Sequence, residues 1–495
     1  MGSTPATLIL LTVSIAHAWC TTPTTLRRVS KKAEQRASPV QSNLLANLLE
    51  HAEVTHAREC ADGALNFAAA AERADVLQFS DEDFETRVVG PEPMAGPDWR
   101  SLRHASSIHH TRQPVVSDGE VDALVSEAGA AIASGARSNF SYTEQQNLGE
   151  VHTADLPMAR AWLARRLSDT FYPLVADRFG LEASSLRVFD SLIIHYDASK
   201  GGVRQPVHRD GALISLNIAL SHRSDYEGGG TFFEGLAAAE RAHAAAGAPS
   251  SDVLPTASLG HPAATGDPSS ATLMLDRGHV MCHASGLRHA GHRIRKGERW
   301  VLVVFLLATH VEHAPRRTAE HAWDALGRSD LGLAEAIWRA AIQMDDGDDE
   351  LYYGLAQAQA MTGQAVEARR SLLTATQRYP LSPKPTVALG SLLLKARRTR
   401  AALRWFERTL ALAADPADDE AWEAGCYAGL CGVRLAQAHP SRAPALLPRA
   451  EQTLRQALLY APEHRREAIE GLLREAEAGR AHMAAAKTRD SAAAA

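Results

Sequence analysis

A spacing of 34 residues most narrows what this chain can fold into: it separates Ala334, Ala368 and Ala402, and likewise Trp338, Leu372 and Phe406. Leu355 and Leu389 share it. A small residue followed four positions later by a large apolar one places both on one helix face. The small position lets a neighbouring helix approach, and the large one fills the groove. A unit of this kind cannot bury its apolar face alone, so it stacks on copies of itself. From about Glu320 the sequence is predicted to be helical to its end.

The 34-residue unit resembles the tetratricopeptide repeat, with Gly363 at the turn between helices and Pro380 at the end of the unit. The copies are degenerate, because Arg397 stands at the turn-glycine position and Thr386 where a large aromatic is usual. A further unit with Ala450, Leu454, Ala457 and Pro462 fits if about fourteen residues are inserted around His439 to Pro448. Repeats are therefore expected over 320–480, followed by a disordered tail over 481–495. A plain helical bundle is the competing reading.

Upstream the period is different. VFDSLIIHY, LISLNIAL, GTFFEG, ATLML and WVLVVFLLA are short β-rich runs that begin near Leu186 and are separated by Gly, Asp, Ser and Arg. Such spacing predicts an all-β barrel or jelly roll. Helices are expected over 118–135 and 158–179, while 80–115 is mixed and turn-rich. A long loop or insertion is expected between Leu236 and Ser270. Gly228 to Gly230 lack the Lys-Ser/Thr and helix of a phosphate loop, and they are predicted to form a tight turn with positive φ.

The chemistry concentrates on a few residues of the β-rich region. His208 and Asp210 are one residue apart, and on extended backbone positions i and i+2 point the same way. Two histidines and a carboxylate on one face leave open positions on a metal, the ligand set of non-haem Fe(II) oxygenases. The third ligand is assigned to His289, just before the run Trp300 to Leu307. His283 is its main rival, and His279 and His292 are nearby. His195 and His222 are expected to be structural or exposed. Arg299 lies ten residues after His289, and a guanidinium suits a carboxylate through two parallel hydrogen bonds. That fits the distal carboxylate of 2-oxoglutarate. Tyr196 and Asn217 could add hydrogen bonds to the same molecule. Asn217 is an odd number of residues after Asp210, so a turn or bulge must reset the parity.

The stretch HYDASKGGVRQPVHRDGALISLNIALSHRSDYEGGGTFFEGL, with HAGHRIRKGERWVLVVFL downstream, resembles the catalytic domain of procollagen lysyl hydroxylases and prolyl 4-hydroxylases. It looks nearest the lysyl type, in which an HxD segment leads into NIAL and DYEGGG and the last basic residue is arginine. The resemblance covers roughly 185–310. It implies iron on His208, Asp210 and His289, and 2-oxoglutarate on Tyr196, Asn217 and Arg299. It also implies a double-stranded β-helix fold, hydroxylation of a peptidyl prolyl or lysyl residue, and dependence on L-ascorbate. The expected architecture is thus α+β and multidomain: a jelly roll with flanking helices, then an α-helical solenoid. A scaffold with an inactive barrel, or a small-molecule oxygenase, are the alternatives.

A net charge of −6 gives no basic footprint for nucleic acid. The resemblance implies a peptide or protein substrate, and the repeats offer a surface for a possible protein partner. The five cysteines show no zinc spacing, and Cys426 could pair with Cys431 only if local geometry allows. Leu8 to Ile15 form a short apolar run followed by Ala16-His17-Ala18, which predicts a signal peptide over 1–18 and no membrane span. The expected address is the endoplasmic reticulum lumen. Thr21 to Ser42 is rich in Thr, Ser, Lys and Arg, which keeps a two-part plastid leader as the alternative. The remaining divisions are a leader or linker over 19–79 with a helix in it, a helical part of the catalytic region over 80–185, and the barrel over 186–312. Asn139 begins a glycosylation sequon.

Overall fold

The longest apolar runs become the centre of a large antiparallel sheet. The computed structural model describes residues 39–67, 77–89, 99, 102–136, 148–201, 204–237, 271–311, 314–413 and 418–493. The proposed signal peptide, the Asn139 sequon and most of the 236–270 stretch lie outside the described residues. Strands β1 (Phe84–Val88), β2 (Ser107–Thr111) and β3 (Gly149–His152) precede β4 (Leu186–Asp197) and β5 (Ile214–Ala219). Then come β6 (Tyr226–Gly228), β7 (Thr231–Phe233), β8 (Thr272–Leu273), β9 (Val280–Ala284), β10 (His289–Gly291) and β11 (Ile294–Ala308). The larger sheet runs β1-β2-β9-β5-β11-β4-β3, with β6 also on β11, and the smaller runs β10-β7-β8.

Three strands of the larger sheet fall in 80–185: β1 and β2 in the mixed, turn-rich stretch 80–115, and β3 in the remainder, expected to be helical. They are short, and β1 and β2 continue one edge beyond β9. Periodicity is weak in runs of four or five residues, so the signal was not visible. Helices α1 (Pro39–Asn66), α2 (Asp118–Ala133), α3 (Pro157–Arg166) and α4 (Tyr172–Phe179) accompany the sheets. The single helix expected over 158–179 is interrupted by one wide turn, Leu167–Phe171. Pro173 has no N–H to give the Asp169 carbonyl four residues back. That carbonyl accepts from the Leu77 amide instead, at 2.8 Å.

The segment expected to be leader or linker holds α1, and α1 is packed into the fold. Cys60 is buried with Ala212 and Leu307, while Leu48 lies against the first repeat core. Gly63 permits the approach, since a Cβ there would sit 2.2 Å from the Val188 carbonyl oxygen.

The second half is a solenoid of antiparallel helices: α5 (Ala314–Gly327), α6 (Leu331–Met344), α7 (Asp349–Met361), α8 (Ala365–Arg378), α9 (Pro383–Lys395), α10 (Thr399–Leu412), α11 (Asp419–Ala438), α12 (Ala443–Tyr460) and α13 (Glu463–Ala493). Ala334, Ala368 and Ala402 are fully buried, and Trp338 and Phe406 fill the adjoining grooves. Glycines on partner helices accept these rings: a Cβ at Gly354 would strike Trp338, and one at Gly390 would strike Phe406. The expected insertion is taken up mainly as extra helical turns, since α11 has 20 residues against 13 in α9, and α12 has 18 against 14 in α10. The tail expected to be disordered continues α13 as far as Ala493, consistent with the high helix propensity of its alanines. Cys426 and Cys431 are both free thiols on α11. Among the described residues no helix is long and apolar enough to cross a membrane.

Candidate metal centre

Strand register assembles the site. Arg299 on β11 lies directly opposite Tyr196 on β4, and its guanidinium carbon is 5.1 Å from the centre of the Tyr196 ring. On β5, Asn217 is opposite Met281 of β9, and Ser215 is opposite His283. Alternation along each strand turns Asn217, Ala219 and Ser221, together with Arg299 and Val301, toward one side. There they line a small cavity, bordered on the other side by Tyr226, Thr231 and Leu273.

His208 and Asp210 are carried by the segment before β5, and His289 begins β10. His208 and His289 are joined as a bridge, with amide-to-carbonyl distances of 2.8 and 2.9 Å. One ligand-type atom from each of His208, Asp210 and His289 lies within 4.8 Å of the others. The Asp210 oxygens are 3.2 Å from His208 Nε2 and 3.3 Å from His289 Nε2. Backbone carbonyls fix both rings: His208 Nδ1 is on Pro206 O at 2.8 Å, and His289 Nδ1 is on Leu287 O at 2.9 Å. Each bond leaves Nε2 directed at the common point.

The turn over Gly211 to Leu213 resets the parity, as the odd offset of Asn217 requires. Ser215 shares a strand face with Asn217, and its hydroxyl donates to Asp210 Oδ2 at 2.5 Å. His283 is not in the triad. It lies behind it, with its ring 4.6 Å from that of His289 and its Nε2 3.4 Å from Asn217 Nδ2. His292 is buried, and His195 is stacked on Trp300 at 3.9 Å.

Protonation suits a cation. Burial pushes the His289 imidazolium down to about 3, leaving a neutral ring at physiological pH. Burial opposes ionisation of Asp210 as well, but the facing imidazoles of His289 and His208 outweigh it and hold its carboxyl well below the usual range. Tyr196 is raised to about 12 by burial and stays a phenol, donating to Gln205 Oε1 at 2.8 Å. Two imidazoles and one carboxylate fit a divalent metal with open positions. The cavity that Arg299 lines suits an anion: Arg299 is buried, yet its Nη1 has no hydrogen-bond partner. Such a nitrogen is costly to bury unless an acceptor arrives.

Some contributors could not be picked out beforehand. Gln205 and Ser215 hold Tyr196 and Asp210. Gly291 is required by Tyr196, whose hydroxyl would be 2.3 Å from a Cβ there. The glycine of the HAG run is the one visible trace of that contact.

No protein-family model matches the chain, and no curated protein matches it. Among solved structures, MamA from Desulfovibrio magneticus RS-1 is 17% identical over 36% of this chain and 96% of its own, with a TM-score of 0.27. YrrB, a TPR protein with an unusual peptide-binding site, is 20% identical over 35% of this chain and 91% of its own, with a TM-score of 0.24. The non-heme alpha-ketoglutarate-dependent epimerase SnoN from nogalamycin biosynthesis is 17% identical over 41% of this chain and 76% of its own, with a TM-score of 0.29. At these values the likenesses carry no weight for activity.

Proposed function

We propose that this chain is an Fe(II)- and 2-oxoglutarate-dependent dioxygenase that hydroxylates a peptidyl prolyl or lysyl residue. The observation that carries the reading is the buried Arg299 nitrogen without an acceptor, in a cavity also lined by Asn217, whose Nδ2 is 3.4 Å from Nε2 of the His283 ring packed against His289. On this reading His208, Asp210 and His289 hold the iron. Arg299 takes the distal carboxylate of 2-oxoglutarate, and Asn217 and Tyr196 border the same molecule. When bound, iron and 2-oxoglutarate would let dioxygen act as the oxidant, one oxygen atom going to the substrate C–H bond and the other to succinate as carbon dioxide is lost, with ascorbate keeping the metal reduced. The protein's part is to hold and to exclude. Ser215 orients the Asp210 carboxylate, the Pro206 and Leu287 carbonyls orient the imidazoles, and the two sheets border the cavity. The larger and smaller sheets, with the cluster at the bridge between His208 and His289, support the double-stranded β-helix expectation.

The second reading is a protein-interaction scaffold with an inactive barrel, favoured by a solenoid that occupies the second half of the chain. Solenoids present extended surfaces to peptides and proteins, so either reading allows a protein partner there. The secretory address, with a plastid as its alternative, belongs to the proposal, and its carrier residues 1–18 lie outside the described ones.

One assay separates the readings. The full chain with Fe(II), 2-oxoglutarate, ascorbate and a panel of proline-rich and lysine-containing peptides should form succinate and add one oxygen atom to a peptide. His208→Ala should abolish both. Absence of iron binding and of turnover favours the scaffold. Succinate formation with peptide mass unchanged favours a small-molecule substrate.

A further inference from the structure

The residue between two of the candidate ligands points away from them. On extended backbone neighbours alternate, so if His208 and Asp210 face the metal point, Arg209 faces the opposite way. The same holds for Arg288 beside His289. Both arginines enter the solenoid and meet one feature, the start of α7.

Arg209 is 1% exposed and donates through Nη1 and Nη2 to Asp349 Oδ1, each at 3.2 Å. Its Nε donates to Gly286 O at 3.1 Å, on the turn that leads to His289. Arg288 donates to Glu234 Oε2 at 2.7 Å and has Glu350 at 3.6 Å. Glu234 also accepts from the Tyr379 hydroxyl, at 2.6 Å, at the end of α8. The Tyr379 ring lies against both guanidinium groups, at 5.5 and 5.7 Å.

Replacing buried ion pairs by apolar groups is often neutral or stabilising. A buried network linking both ligand-bearing segments to one repeat therefore invites a positional explanation.

We infer that the solenoid is a working part of the metal site: Asp349, through Arg209, sets the positions of His208 and Asp210, and Glu234 with Tyr379, through Arg288, sets that of His289. These are positioning residues, since none touches the metal point. The inference rests on the proposed iron reading. It adds that the site's geometry is shared between two modules, so that whatever moves the start of α7 moves the ligands.

The test is Co(II) titration of the full chain, followed by the metal's visible absorption, with thermal unfolding in parallel. Asp349→Asn keeps the shape of the side chain and removes its charge. Arg209→Met combined with Asp349→Leu refills the space with apolar groups, and it gives the answer if the single variant does not fold. Each folded variant should bind Co(II) roughly 10- to 100-fold more weakly than the unaltered chain, the range known for residues that orient metal ligands, and with a changed absorption spectrum. Restoring the charge with Asp349→Glu should recover part of the affinity. A merely structural role would lower the unfolding temperature and leave affinity and spectrum of the folded protein unchanged, and that result overturns the inference. Failure of the unaltered chain to bind Co(II) overturns the iron reading itself.

Discussion

A guanidinium carries five donors, and burial turns each unmet one into a free-energy cost. Arg299 accepts that cost in a cavity it shares with Asn217, opposite Tyr196. Arg299→Lys keeps the charge but loses the planar fork. Loss of one charge-assisted hydrogen bond, about 1.5–3 kcal/mol, should weaken 2-oxoglutarate binding roughly 10- to 100-fold. Calorimetric titration of the Mn(II)-loaded chain would measure this, with Mn(II) affinity unchanged as the control. Equal 2-oxoglutarate affinity in both proteins would remove Arg299 from its assigned role. At this scale much was visible in the sequence. The HxD alternation and the arginine ten residues after His289 picked out side chains that the fold brings together. The pairing of Tyr196 with Arg299 was not visible, because register between strands a hundred residues apart is set by the whole sheet. Nor was the role of Arg209: alternation turns it away from the ligands, but nothing local says what it meets.

At the scale of elements, the 34-residue period extends to backbone conformation. Ser329, Gly363 and Arg397 are spaced by it and have φ of 62°, 80° and 57°, the left-handed region in all three. Each follows the first helix of a pair, where a glycine is the unstrained choice. The left-handed region costs a residue with a Cβ about 1–2 kcal/mol. Glycine returns part of that gain through its freer unfolded chain, about 0.4–1 kcal/mol. Arg397→Gly should therefore stabilise the protein by about 0.5–1 kcal/mol, and Ser329→Gly similarly. Chemical denaturation would show it as a raised midpoint at unchanged slope, whereas a lowered midpoint would mean that these side chains make contacts worth more than the strain. The repeat was legible because it recurs, and even its degenerate positions were visible as departures from a pattern. The edge strands β1 to β3 were not, since runs of four or five residues carry too little periodicity. The break at Pro173 was legible in principle: a proline inside a helical pattern frees the carbonyl four residues earlier, and here Leu77 takes it.

At the scale of the molecule, two modules that could each hold a core are joined by buried charge. Beyond the contacts around Arg209, Arg204 donates to Asp418 Oδ1 at 2.6 Å, with side chains 6% and 8% exposed. Asp418 precedes α11, far along the solenoid from α7, so the barrel is held to the repeats at two separated places. Helix α1 adds a third, through Gly63 on β4 and Leu48 on the repeat core. Modules linked only by a tether unfold separately, whereas modules that share desolvated ion pairs must expose a charge if one opens first. The chain should therefore unfold in a single calorimetric transition. Asp418→Ala deprives the buried Arg204 of this counter-charge, and breaking such a pair costs about 3 kcal/mol or more. The loss falls on the contact between modules and spares both cores, so the expected outcome is a lower onset and a split into two transitions. Asp346→Ala is the control, because its pair with Arg378 is exposed and such pairs contribute about 0–1 kcal/mol. If Asp418→Ala kept one transition at the original temperature, the two modules would be neighbours without being coupled, and the repeats would then be an appendage to the barrel.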